Sequence, residues 1–195
     1  MAIDSGLIIE CADLNAVGGV KQILLTDISN IATVDPVITA PPADHTVTSI
    51  VGTVDWARFE FKAETAALSI NATKENGTTA YECSISFHVP NMEAAHSVAI
   101  EKLSTGCPVG IVELHSGKAF LVGFSYLYEN VGGGTTPWTR NQTTANLTSI
   151  EGGSGAAYQD ENGLTVTLMA RQYELPLEYT GAITPSADGL TAATA

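Results

Sequence analysis

Histidine and cysteine are the residue types in this chain that could ligate zinc, and their spacing is the first test of that chemistry. His88 lies eight residues before His96, and Cys83 lies five residues before His88. Zinc sites usually contain short CxxC or HxxxH pairs that bring two ligands to one metal, and these positions form neither. Cys83 and His88 also point to opposite faces of a predicted strand. We therefore predict no metal site, with Cys83 in the core and both histidines facing solvent.

Paired carboxylates and glycine-rich segments could support catalysis or phosphate binding, but they form no recognised motif here. Residues 132–134 are glycines followed by Thr and Pro rather than by a helix start, so they cannot bind a phosphate at a helix N-terminus. Residues 152–155 lack the Gly-x-Ser-x-Gly pattern of a nucleophile elbow. The pairs Glu60/Glu64 and Asp160/Glu161 are typical of solvated faces and turns. We predict that the chain is not an enzyme, with no catalytic residue and no cofactor.

The charge balance argues against binding to nucleic acid or to an anionic membrane. The chain has 195 residues, 21 Asp and Glu, 8 Lys and Arg, and a formal net charge of −13. Nucleic-acid binding needs clustered cations that displace phosphate counterions, whereas no two basic residues here are adjacent. No apolar run reaches the roughly 18 residues that a membrane helix needs. We therefore expect no membrane contact.

The cysteines and the first residues bear on the cellular compartment. Cys11, Cys83 and Cys107 cannot all pair within one chain, and their spacing matches no disulfide framework. No basic residue precedes Lys21, which is unlike a secretory signal peptide. We expect the protein to be synthesised in a reducing, intracellular compartment.

Strand patterns dominate the chain, so a sheet is expected to position any functional residue. Residues 81–88 alternate between apolar and polar side chains, and the final predicted strand, 164–173, begins in the same way with Leu164, Val166 and Leu168 facing in, which predicts strands with one packed face. Asn76-Gly77 favours the positive φ angles of a type I′ turn and predicts a hairpin before the first of these strands. Further strands are predicted at 7–11, 20–26, 28–34, 56–61, 65–71, 109–115, 119–128 and 145–151.

One helix is predicted in the middle of the chain. Pro90 and Asn91 mark its start, and Gly106 and Pro108 mark its end. Its residues at helical spacing form one apolar stripe, which consists of Met92, Ala95, Ala99 and Leu103. In the strand at 119–128, alternate apolar residues predict a single packed face, which consists of Phe120, Val122, Phe124 and Tyr126.

These elements predict a mainly β fold, an antiparallel β-sandwich or barrel with one flanking α-helix. Residues 1–175 are predicted to form this domain. Residues 35–53 and 129–144 are Pro- or Gly-rich and show no clear period, so long loops are expected there. Residues 176–195 predict a C-terminal tail or docking arm. Our hypothesis is that one or more of these segments reach a neighbouring subunit.

Several segments follow one another in an order that can be compared with known families. An N-terminal strand leads to DLNAVGG and VKQILLTDISNI, and then to FEFKAETAALSINATKENGTTAYECSISFHVP. The helix NMEAAHSVAIEKL and the hairpin PVGIVELHSGKAFLVGFSY come next, and a glycine-rich stretch leads to YQDENGLTVTLMARQYE. This order, over roughly residues 5–175, resembles that of bacteriophage tail tube (major tail) proteins.

The resemblance implies a two-sheet β-sandwich or barrel flanked by a single helix. In that family six subunits commonly form a ring whose inner sheets close into a continuous barrel, and rings stack into a tube that conducts DNA. Tube proteins of contractile tails and of type VI secretion are similar in architecture. The implied function is a structural protein of the virion tail, synthesised in the bacterial host cytoplasm. Its implied partners are its own copies, the tape-measure protein and other tail proteins, while double-stranded DNA passes without specific binding.

The residues implied to face the lumen of such a tube belong to two alternating polar sets. An acidic lining repels DNA phosphates at close range, whereas a basic lining would bind them. An ordinary solvent-facing strand would show the same alternation, so both interpretations stay open for each strand. The candidate lumen-facing residues are Glu82, Ser84, Ser86, Thr165 and Thr167, and His88, Met169 and Arg171 continue the same two sets.

Two other functions fit the sequence. A ring or adaptor protein of the neck or baseplate can share this fold, and its copy number per particle would distinguish it from a tube protein. A carbohydrate-binding β-sandwich module, which belongs to a different class, would need exposed aromatic side chains. Trp138 and Tyr158, both in predicted loops, are the candidates for that role.

Overall fold

The computed structural model describes residues 17–35, 45–124, 144–157, 159, 162–172 and 174–194. These residues form fourteen strands, one α-helix and one 3-10 turn at Ile28–Asn30. The helix α1 is Ala94–Thr105. The strands are β1 Val20–Asp27, β2 Ile31–Asp35, β3 Thr46–Val47, β4 Ser49–Gly52, β5 Trp56–Phe59, β6 Ala67–Glu75, β7 Thr78–Pro90, β8 Pro108–Leu114, β9 Ala119–Val122, β10 Asn146–Gly153, β11 Gly163–Gln172, β12 Leu177–Tyr179, β13 Ile183–Pro185 and β14 Thr191–Thr194.

The hairpin of β6 and β7 confirms the turn predicted from the sequence. Asn76 and Gly77 have φ angles of 49° and 84°, which are the left-handed values that an Asn-Gly type I′ turn requires. Beyond the turn, β7 alternates strictly: Cys83, Ile85 and Phe87 are buried, whereas the residues between them are partly exposed. The predicted period of two therefore holds along this strand.

Eight strands form one sheet in the order β13-β14-β5-β1-β8-β9-β12-β3. β13 is the first strand in this order and β12 is the seventh. Along the chain, however, β12 is connected to β13 by only three residues, 180–182. Strands in a flat sheet lie about 4.8 Å apart, so a flat arrangement would separate these two by nearly 30 Å. Three residues cannot span that distance. The sheet therefore curls into an open barrel.

The barrel encloses one of the two hydrophobic cores. Alternate residues of its strands point inward, and the small antiparallel sheet of β2 and β4 adds apolar residues to the same core. Large inward-facing side chains include Leu24, Trp56, Ile111, Leu121 and Leu177, all of which are fully buried.

The second core lies between the outside of the barrel and a four-stranded sheet of order β10-β11-β7-β6. Ile23, Leu25 and Val112 of the barrel meet Ile85 and Phe87 of that sheet. Gly110 permits close approach, because a Cβ there would lie 3.0 Å from Leu25 Cδ2 and 3.1 Å from Ile85 Cδ1. A mainly β fold with a curled sheet packed on a second sheet, plus one helix among the described residues, confirms the predicted fold class.

The helix differs in its packing face from the predicted apolar stripe. Met92 precedes the helix and is exposed, and Ala95 is exposed as well. Ile100 and Leu103 are the buried residues of α1, and both join the core between the sheets. Part of the error arises because the helix begins at Ala94, three residues after the predicted start.

The predicted face of the strand at 119–128 is also wrong at Phe124. Val122 packs in the core between the sheets, whereas Phe124 packs inside the barrel with Leu121. Gly123 has a φ of 85°, which ends the regular strand and reverses the side on which the next residue lies. Tyr126 lies outside the described residues.

Two segments predicted as irregular contain strands. Within 35–53, β3 joins the barrel sheet and β4 pairs with β2, so Ile31–Asp35 contributes to a separate small sheet rather than to the main one. Residues 176–195 are predicted to be a tail, but β12, β13 and β14 are part of the barrel, with Leu177, Tyr179 and Ala192 buried. The domain boundary expected at 175 is therefore wrong. The strand expected at 7–11 and almost all of the loop at 129–144 lie outside the described residues.

Candidate functional site

The polar residues predicted from two separate strands come together on one face of the four-stranded sheet. β7 and β11 are antiparallel neighbours, with Thr165 opposite His88 and Thr167 opposite Ser86. Paired residues in an antiparallel sheet project on the same side. The outward set consequently contains Glu82, Ser84, Ser86, Thr165 and Thr167, together with His88, Met169 and Arg171. We call this surface the polar face.

Cross-strand contacts fix several of these side chains. Arg171 donates from Nε to Glu82 Oε1 at 2.9 Å, and its Nη2 lies 2.8 Å from the same oxygen. The hydroxyls of Ser84 and of Ser69 on β6 are 2.7 Å apart. These pairs tie β6, β7 and β11 together through their outward side chains.

The sequence predicted that His88 faces solvent, but the structure shows this side chain half-buried. Its Nδ1 lies 3.1 Å from Thr165 Oγ1, and it packs over Gly163, where a Cβ would come within 2.5 Å of Nε2. His96 is half-buried too, with Nδ1 3.0 Å from the carbonyl oxygen of Asn91. Neither histidine therefore extends freely from the surface.

The polar face carries little charge. β6 contributes Glu75, β7 contributes Glu82 and β10 contributes Glu151, while β11 contributes Arg171. Among the residues of this face that the structure describes, three carboxylates against one guanidinium give a net charge of −2, compared with −13 for the whole chain. Since Glu82 and Arg171 pair with each other, hydroxyl groups are the prevailing chemistry of this surface.

Both edges of the four-stranded sheet are open. β6 and β10 are its terminal strands, with nine and eight residues, and among the described residues neither has a second neighbour. Ile70 on β6 pairs with buried Cys83, and Ile150 on β10 pairs with buried Val166, so both project toward the core side. Yet Ile70 is 42% exposed and Ile150 is 47% exposed. Each edge thus leaves an apolar side chain uncovered.

Metal-ligating residue types and the buried cysteine are the candidates for chemistry that remain to be placed. Nowhere in that part of the chain do three His, Cys, Asp or Glu side chains converge on a possible metal position. Cys83 is buried as predicted, and burial, with a smaller effect of the Glu174 charge, raises the pKa of its thiol to about 11. This thiol is consequently protonated and inert at neutral pH.

Sequence reasoning identified the residues of the polar face but not the strand pairing that assembles them. It also missed the open edges, because exposure of Ile70 and Ile150 depends on where the barrel stops covering the sheet.

Trp138, Tyr158 and the Asp160/Glu161 pair lie outside the described residues. No helix in the described part of the chain is long and apolar enough to cross a membrane. A comparison of the chain with models of protein families, with curated proteins and with solved structures finds no match.

Proposed function

We propose that this protein is a structural subunit that assembles with copies of itself, edge to edge through the four-stranded sheet, into the tail tube of a bacteriophage. The observation that carries the proposal is the pair of open edges, β6 and β10, each with an exposed isoleucine on the core side of the sheet. The polar face would then line the lumen, in keeping with the family resemblance of the sequence.

Open edges support self-association for a physical reason. A long edge strand presents unpaired N–H and C=O groups, and monomeric proteins usually protect such edges with proline, charge or a covering element. β6 and β10 contain no proline, and each has an exposed isoleucine on the core side, although Lys74 lies near the turn end of β6 and the pairing of β10 shifts register between Leu147 and Ser149. Pairing of β6 in one copy with β10 in the next would satisfy both backbones and bury both isoleucines.

Such contacts are heterologous, since two different edges meet. A heterologous contact closes into a ring when its rotation permits and otherwise grows into a filament. Six copies per ring is the number that the resemblance implies, and stacked rings would give the tube. A neck or baseplate ring remains the alternative, and the length of the assembled particles distinguishes the two.

The chemistry of the polar face suits passage of DNA rather than its retention. Each cationic contact with phosphate releases counterions and strengthens binding, so a conduit must avoid unpaired Lys and Arg. On this face Arg171 is the cation that the structure describes, and Glu82 neutralises it. In this proposal the protein is located in the virion tail, with tape-measure and other tail proteins as further partners.

The test is to place a charge at each open edge and observe assembly. We expect Ile70→Glu and Ile150→Glu to abolish rings and tubes in negative-stain micrographs and to leave a folded monomer in light scattering. Val51→Glu provides a matched control, because Val51 is 49% exposed but lies on β4, which belongs to the small two-stranded sheet and not to the four-stranded one. It should assemble like the wild type.

Three outcomes of this experiment would contradict the proposal or favour its alternative. If wild-type protein forms no ring or tube, the proposal fails. If rings form but both edge variants assemble normally, self-association uses another surface, and the polar face loses its assigned position. Particles of a single ring height support the neck or baseplate alternative.

A further inference from the structure

The inside of the barrel changes character toward one end. In its middle the inward-facing residues are apolar, including Leu24, Trp56 and Ile111. Two residues further along each of these strands, toward the same end, the inward positions hold Gln22, Arg58 and Glu113. The sequence therefore places three polar side chains inside a barrel whose remaining interior is hydrophobic. The interior of an eight-stranded barrel is either filled by side chains or holds one small ligand.

A cavity of about 670 Å³ lies at this end. Its walls include the three inward residues and, at the rim, Lys21, Lys118 and Glu178. We call it the mouth cavity. Its volume falls within the range of small-molecule sites.

Two of the three cations at the mouth cavity have a close carboxylate partner. Lys21 Nζ lies 2.6 Å from Glu113 Oε1, and the Gln22 side-chain amide donates to the other oxygen of the same carboxylate. Lys118 Nζ lies 2.5 Å from Glu178 Oε1. Both carboxylates of the cavity wall are consequently engaged with lysines.

Arg58 is the third cation, and its carboxylate partner, Glu60, is more distant than those of the two lysines. The side chain is 30% exposed, and Nη1 is 3.7 Å from Glu60, a side chain that is itself 78% exposed. Nη1 also donates to the Gly189 carbonyl at a long 3.4 Å. Among the described residues, nothing accepts a hydrogen bond from the buried Nε. A partly buried guanidinium without a close acceptor is an unfavourable arrangement.

We propose that the mouth cavity is a carboxylate-binding site and that Arg58 is its anchor. Glu113 and Glu178 are each bound to a lysine, whereas Glu60 reaches Arg58 only at 3.7 Å. A carboxylate bound at hydrogen-bond distance would give Arg58 a closer acceptor than Glu60 does. A planar carboxylate matches the fork of donors that a guanidinium presents. The carboxylate belongs either to a free small molecule or to an Asp or Glu side chain of a second copy.

The site does not depend on the proposed tube, because it lies inside the barrel and not on the four-stranded sheet. Acetate serves as the probe. Full-length protein is unfolded thermally in sodium acetate and in sodium chloride at the same pH and ionic strength. A ligand that binds the folded state at about 100 times its dissociation constant raises Tm by several degrees in a chain of this size.

Arg171→Gln provides the matched control, since Arg171 is an arginine paired with Glu82 on the other sheet. We expect acetate to raise Tm of the wild type and of Arg171→Gln equally. In Arg58→Gln, the affinity should fall at least about tenfold, because a hydrogen-bonded charge is lost. If Arg58→Gln does not fold, Arg58→Lys keeps the charge without the fork and should also weaken binding.

Two results would overturn the proposal: no saturable rise of Tm in wild-type protein, or the same rise in Arg58→Gln as in Arg171→Gln. A further measurement identifies the source of the carboxylate. If a second copy supplies it, acetate and Arg58→Gln each lower the self-association measured by sedimentation velocity. If a free molecule supplies it, self-association is unchanged while the Tm effect persists.

Discussion

Asp27 connects three parts of the fold, and its removal gives a sharp test of that connection. Its carboxylate lies at the end of β1 and accepts hydrogen bonds from the Ser29 backbone N–H at 3.0 Å and the Ser29 hydroxyl at 2.7 Å. Oδ2 accepts a third bond from the Cys107 backbone N–H at 2.8 Å. One side chain therefore caps the 3-10 turn and holds the segment that follows α1. We expect Asp27→Ala to destabilise the protein.

The magnitude follows from these bonds. The partly buried bond from Cys107 to a charged acceptor contributes about 1.5–3 kcal/mol. The contacts with Ser29 are exposed and act as a cap, worth about 0.5–1 kcal/mol. Because the bonds share one carboxylate and are not additive, we expect a loss of about 2–3 kcal/mol. That corresponds to a fall in Tm of about 6–10 °C for a chain of this length.

The stability that Asp27→Ala loses should depend on pH. Burial alone would raise the pKa of Asp27, but the hydrogen bonds from Cys107 and Ser29 outweigh it and hold the pKa below the ordinary value of 3.8. A lowered pKa contributes stability that is present above the unfolded-state pKa and is lost as pH falls through the folded-state pKa. The difference between wild type and Asp27→Ala should therefore be full at pH 7 and shrink below about pH 4.

Urea unfolding followed by circular dichroism at several pH values measures this difference. Gly106→Ala perturbs the contact between Asp27 and the Cys107 N–H from the opposite side, because a Cβ at position 106 would lie 3.0 Å from Asp27 Oδ2. The two substitutions should be strongly non-additive in a double-mutant cycle. Asp188→Ala is the control: its carboxylate makes similar bonds to Ser186 and Leu190 in an exposed turn. Additive effects, or a loss at pH 7 no larger than that of Asp188→Ala, would refute the assigned role.

Three other substitutions test separate features. Gly110→Val should lower the free energy of unfolding, measured with urea, by about 1–3 kcal/mol, because the valine side chain would force the two sheets apart. An unchanged urea midpoint would contradict the close approach of the two sheets at Gly110. Truncation after Thr180 removes β13 and β14 and uncovers the β5 edge beside Trp56. We expect it to shift tryptophan fluorescence to the red, whereas a native spectrum would show that these strands are dispensable. Glu82→Lys places a second cation beside Arg171, so under the proposed function phage carrying it should form tails but eject DNA more slowly; wild-type ejection kinetics would argue against a lumen position.

Local patterns explain which elements the sequence could predict. The alternation from Tyr81 to His88 and the Asn76-Gly77 turn depend on neighbouring residues alone, and both are present in the structure. The polar face could be predicted strand by strand for the same reason. Its assembly could not, because the pairing of β7 with β11 joins residues about 80 positions apart and leaves no local signal.

The C-terminal residues show the limit of composition as a guide. Residues 176–195 are rich in Ala, Thr, Pro and Gly, which is typical of a tail, but β12 and β14 bury Leu177, Tyr179 and Ala192 in the barrel. Such short strands carry too few residues for a recognisable period. Their stability comes from the neighbours they pair with, β9 and β5, and not from their own sequence.

The position of the charges changes the physical argument for DNA passage. A net charge of −13 suggests an acidic lining that repels phosphates, but the described strands of the polar face carry only −2 of it. Charges on the barrel lie behind a packed sheet, about 10 Å or more away. Because the Coulomb energy falls with distance, they act on a phosphate at the polar face less strongly than the charges of the face itself. If this surface lines a tube, DNA passes along it without being held, for two reasons. Arg171, the cation that the structure describes on this surface, is already paired with Glu82. The other prevailing groups are neutral hydroxyls, which bind water rather than phosphate.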